Sequence, residues 1–160
     1  MAHAHLPRRR FLGQALGAGF ALTPLAALLA GCAKNAWPEG MAEIKWDRDT
    51  CTRCKMVISD RRFAAEVRGG PKDEVFKFDD IGCVAHWLKA QDWGNGAAVR
   101  LWVADAGRPG SEVSWLDARK AQYVGGKASP MGYNFAAYAQ PQAGSQDFET
   151  MREHVLLKTK

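Results

Sequence analysis

The chain has 160 residues, 47% hydrophobic and 24% charged, a balance that excludes wholesale disorder, collagen and coiled coil. Its formal charge of +5 includes Arg8, Arg9 and Arg10, which sit in an N-terminal segment with the marks of a removable address. Without them 19 basic residues face 17 acidic ones, and a net +2 over residues 32–160 is no footprint for a nucleic-acid backbone.

Residues 1–31 form the first expected element. Three arginines precede an uncharged apolar run over residues 11–31, the layout of a signal peptide. Gly13, Gly17, Gly19 and Pro24 make that run a poor permanent membrane helix. Arg8-Arg9-x-Phe11-Leu12 resembles a twin-arginine signal, with Pro7 where a hydroxyl residue is usual. Leu29-Ala30-Gly31-Cys32 resembles a lipobox, in which Cys32 is lipidated and becomes the mature N-terminus. Residues 32–44, with Pro38 and Gly40, are expected to form a lipidated tether.

Beyond the tether, residues 62–67 and 75–78 carry β-formers on either side of a Gly69-Gly70-Pro71 loop, the pattern of a hairpin. Asp79-Asp80 can cap a helix over residues 81–91, with Ile81, Ala85 and Leu88 on one face. Strands are expected at 99–104, 112–116, 122–124 and 135–138, then a helix capped by Asp147 reaching about His154, and a last strand at 155–157. The fold class that follows is α+β, with two similar small ββαβ-type units, about 45–104 and 105–157, in one compact mature domain spanning 45–157.

If Cys32 carries lipid, Cys51, Cys54 and Cys83 remain, and an odd number of thiols cannot all pair. In an oxidising cell envelope the leftover thiol points to metal or to chemistry. Cys51-x-x-Cys54-x-Met56 is the sharpest motif. Two thiols three apart can reach one ion, and a thioether beside them suits soft Cu(I) far better than zinc. A redox pair, a c-type haem site and a plain disulfide are the competing readings. The haem is disfavoured by Lys55, which stands where its axial His belongs.

Cys83 and His86, three apart on the expected helix, share a side and can add ligands. Met131, held between Pro130 and Gly132, offers a second thioether. Neither a Ser-His-Asp signature nor a phosphate loop stands out, so an enzyme is not expected.

Taken in order, Cys51-x-x-Cys54-x-Met56, Phe78-Asp79-Asp80-Ile81-Gly82-Cys83, Trp115-Leu116-Asp117-Ala118, Ala121-Gln122-Tyr123-Val124 and Ser129-Pro130-Met131-Gly132-Tyr133 resemble the NosL family, accessory lipoproteins of nitrous oxide reductase maturation. The resemblance implies a Cu(I)-binding metallochaperone, lipid-anchored to a membrane and facing the periplasm. It implies a NosDFY-type membrane complex and apo nitrous oxide reductase as partners, and no nucleic acid. Carried over residue by residue, the copper ligands are Cys54, Met56 or both, and Met131, with the choice between Cys51 and Cys54 left open. Lys55 departs from the family pattern, in which Gly is common. The alternative function is a thiol-disulfide exchange lipoprotein using Cys51 and Cys54, which would leave Met56 and Met131 without a chemical task.

Overall fold

The computed structural model describes residues 37–158, part of a compact unit spanning Asn35–Lys160. The signal segment 1–31 and the lipidation residue Cys32 lie outside the described residues.

The first half builds a four-stranded antiparallel sheet with one helix. Strands β1 (Ala65–Gly69) and β2 (Glu74–Phe78) form the expected hairpin. Its turn needs Gly70, which has φ +82°, and takes Asp73 at φ +51°, backbone that glycine adopts freely and aspartate tolerates. Helix α1 (Ile81–Lys89) follows at once because Asp80 caps it, the side chain accepting from the Gly82 N–H. Strand β3 (Arg100–Ala104) pairs with the other side of β1, and β4 (Trp115–Asp117) closes the edge, giving the order β2-β1-β3-β4. The expected α1 face is inside, with Ile81, Ala85 and Leu88 buried. Trp87 packs against Phe76 and Phe78, with ring centroids 4.4 and 5.4 Å away.

The second half builds a smaller sheet and a second helix. Strands β5 (Gln122–Gly125), β6 (Phe135–Tyr138) and β7 (Ser145–Gln146) align in the order β6-β5-β7. Helix α2 (Phe148–Leu156) starts at Asp147, whose carboxylate accepts from the Thr150 N–H at 2.8 Å. Its buried residues are Phe148, Met151 and Val155, at the three- and four-residue spacing of one helix face. The strand expected at 155–157 is therefore the end of α2: Val155 continues the helical stripe, and the Leu157 N–H bonds back to the Glu153 carbonyl. The first half runs ββαββ, whereas in the second all three strands precede the helix.

Residues 37–44, read above as part of the tether, lie along β1 and β2. Ile44 is buried, the Ala42 N–H donates to Glu66 at 2.7 Å, and Arg68 and Lys77 donate to the carbonyls of Gly40 and Glu43. Among the described residues, no helix is long and apolar enough to cross a membrane.

Candidate metal centre

The cysteine loop is closed by its own backbone. Thr50 bridges Val57, the Cys51 N–H donates to the Met56 carbonyl at 2.8 Å, and the Lys55 N–H donates to the Cys51 carbonyl at 3.0 Å. Reversing direction that tightly forces Lys55 to φ +66°, a conformation in which a Cβ is strained and glycine is not. A glycine at this position would carry no such strain. The Thr52 N–H fastens the loop to β2 through the Lys77 carbonyl at 2.8 Å.

The loop faces the junction of β2 and α1, where Asp79 directly follows the strand and Cys83 lies in the first helical turn. One ligand atom each from Cys51, Cys54, Asp79 and Cys83 lies within 4.8 Å of the other three. All three cysteines are free thiols. Cys51, Asp79 and Cys83 are buried, and Cys54 alone is half-buried, its Sγ 3.4 Å from Asp79 Oδ1. The cluster thus has three enclosed members and one sulfur nearer the surface.

Crowding sets the protonation of this group. A hydrogen bond from the Cys83 thiol lowers the Cys51 pKa to about 4, so Cys51 is the first to ionise. Its partner Cys83 is pushed up by that donation and by burial. Burial, with Cys51 and Asp79 alongside, raises Cys54 to about 12. Burial and the Cys51 sulfur raise Asp79 to about 6. Cys51 and Asp79 are the groups inclined to carry charge, and ionising Cys54 or Cys83 beside them requires a cation to offset the added charge. Arg53, inside the loop, hydrogen-bonds Tyr133 Oη at 2.9 Å.

The NosL family profile matches residues 43–154. The chain belongs to the NosL family. Among solved structures it is similar to the copper chaperone NosL from Shewanella denitrificans, at 20% identity and a TM-score of 0.47, covering 72% of this chain and 88% of that one. No curated protein sequence gives a match.

The structure brings together three of the residues singled out from sequence, Cys51, Cys54 and Cys83. Met56 borders them through its backbone, and its side chain is about half exposed (48%). Met131 is half-buried in the loop after β5, and its N–H donates to Asp80 at 3.2 Å. His86 is not a member of the cluster; its ring is tilted against Tyr133 with centroids 5.3 Å apart, its Nε2 is buried without a hydrogen-bond partner, and burial lowers its pKa. Sequence reasoning missed Asp79 by reading both aspartates as caps. A helix uses one cap residue, so the second carboxylate was the available signal.

Proposed function

We propose that this chain is a carrier of Cu(I), not a catalyst, lipid-anchored at Cys32 to a membrane and facing the periplasm. In this reading it passes copper to a NosDFY-type complex and to apo nitrous oxide reductase for assembly of the copper centres. Family membership supports the client, and the lipobox-like Leu29-Ala30-Gly31-Cys32 supports the anchor.

The observation that carries the proposal is the convergence of three free thiols within 4.8 Å of one another, of which Cys54 is the least buried. Thiolates are soft ligands and suit Cu(I). Cys51, already inclined to ionise, and Cys83 form the inner wall, while Cys54 is the sulfur an incoming ligand reaches first. The thioether of Met131 adds a further sulfur and that of Met56, at the surface, is the exchangeable alternative to it, so that few sulfurs hold the ion at once, with Asp79 accepting a proton as the thiols give theirs up to the metal. Transfer is ligand exchange: a partner's sulfur enters beside Cys54 before the buried sulfurs leave.

Thiol-disulfide exchange fits less well. Such a protein attacks with an accessible thiol of depressed pKa, whereas here the accessible Cys54 is raised to about 12 and the depressed Cys51 is fully buried.

An anaerobic Cu(I) titration of the reduced chain against a competing chelator, with Zn(II) as rival, tests the proposal. One Cu(I) per chain, retained under excess zinc, is expected. Tight zinc binding without measurable copper binding would overturn it.

A further inference from the structure

Asp80 is fully buried (0% exposed), and each of its carboxylate oxygens has its own task. Oδ1 accepts from the Gly82 N–H at 2.8 Å, which is the helix cap. Oδ2 accepts from the Ser129 hydroxyl at 2.5 Å and from the Met131 N–H at 3.2 Å, residues 49 and 51 positions further along the chain. The cap is complete with Oδ1 alone, so Oδ2 serves the distant loop.

That loop is built as a rigid piece. The Gly132 N–H donates to the Ser129 carbonyl at 2.9 Å, and Ser129 and Asn134 exchange hydrogen bonds, with the Asn134 N–H on Ser129 Oγ at 2.9 Å. Its Tyr133 ring packs against α1, so close that a Cβ on Gly82 would fall 2.1 Å from the ring. Tyr133 Oη accepts from Arg53 of the cysteine loop. The Cys83 N–H donates to the Asp80 carbonyl at 2.9 Å, and Asp79 is the preceding residue, so Asp80 sits between two members of the thiol cluster.

We propose that Asp80 is a positioning residue of the metal centre: its Oδ2 fixes Met131 against the Cys51-Cys54-Cys83 pocket so that the thioether joins the bound copper. The inference rests on the reading of Met131 as a copper ligand. Asp80 touches no metal itself; it acts through the Met131 and Ser129 contacts.

The test uses the full chain carrying Cys32→Ser, reduced and handled without oxygen. Asp80→Asn can keep the cap oxygen at Oδ1 but turns an amide donor toward two other donors, the Ser129 hydroxyl and the Met131 N–H. Asp80→Asn and Met131→Leu are each expected to weaken Cu(I) binding at least tenfold, and the double variant no more than the weaker-binding single. Cd(II) is bound through the thiols, so its thiolate charge-transfer absorbance is expected to survive both substitutions, which a general structural defect would not allow. Ser129→Ala removes one of the two donors without touching the cap. It should weaken Cu(I) severalfold and serves as the readout if Asp80→Asn does not fold. Parent-like copper binding in Met131→Leu would remove the ligand reading and the inference with it. Weakened binding in Met131→Leu with parent-like binding in both Asp80→Asn and Ser129→Ala would overturn the positioning role alone. Additive losses, or loss of the Cd(II) signal in Asp80→Asn, would also overturn it.

Discussion

Glu66 lies in the middle of β1, with no solvent exposure, between Lys77 on β2 and Trp102 on β3 in the strand register. Oε1 accepts from the Ala42 N–H at 2.7 Å, and Oε2 has no hydrogen-bond partner. Burial raises its pKa from 4.5 to about 7. The folded chain therefore holds this proton more tightly than the unfolded chain. The stability it confers is fully present below pH 4.5 and is lost as pH rises through about 7. At about 1.36 kcal/mol per pKa unit, the full swing is about 3 kcal/mol. Glu66→Gln is neutral at every pH and lacks this component. Between pH 5 and pH 8 the parent should lose about 2 to 3 kcal/mol relative to the variant, measured by urea unfolding followed through tryptophan fluorescence. The comparison of slopes cancels the other titrating groups and any fixed cost of the Gln amide. Parallel pH profiles, with the two proteins tracking each other within about 0.5 kcal/mol, would refute the argument that Glu66 is buried as the neutral acid.

Three other outcomes follow from the geometry. Cu(I) affinity should rise between pH 6 and pH 8, by up to about tenfold per unit for each proton displaced, because the raised thiols Cys54 and Cys83 bind protons in the free chain and release them to the metal; a pH-independent affinity in competition titrations would mean that these thiols are not ligands. Lys55→Gly should unfold at the same or higher urea concentration than the parent, with a gain of up to about 1 kcal/mol, since it relieves a side chain at φ +66°, while Lys55→Val should lower the midpoint. Cys32→Ser should abolish fatty-acid labelling in cells and release the protein from the membrane fraction, and equal labelling of parent and variant would count against lipid attachment there.

Much of the fold was legible because local signals agreed with tertiary packing. The Gly69-Gly70-Pro71 loop, the Asp80 and Asp147 caps and the strand at 135–138 each had a turn or capping residue to anchor the assignment. Where β-formers alone were counted, the boundaries moved. Residues 62–64 precede β1 because Arg62 is held by Asp60 and the Phe63 N–H bonds back to the Asp60 carbonyl. The 155–157 segment is β-branched and apolar at its start, but its spacing from Met151 is helical, and packing on that face decided its state. β7 is two polar residues with no periodicity, defined only by pairing with β5. At the site, the odd thiol count brought Cys83 into consideration beside Cys51 and Cys54, since spacing restricts which residues can meet. Asp79 lies four residues before Cys83 in a motif that the sequence shows, but its place beside Cys51 and Cys54 depends on the turn from β2 into α1, which the capping reading of both aspartates left out. The Lys55 backbone could be read only after the loop's two closing hydrogen bonds were known.

The central claim is that Cu(I) is held by the three converging thiols. X-ray absorption at the copper edge, on the full chain carrying Cys32→Ser and loaded anaerobically with one Cu(I), measures the ligand atoms directly. The account predicts a first shell of sulfur with monovalent copper, losing sulfur occupancy in Cys54→Ser and in Cys83→Ser. A shell dominated by nitrogen or oxygen, or a sulfur shell unchanged by both substitutions, would contradict it.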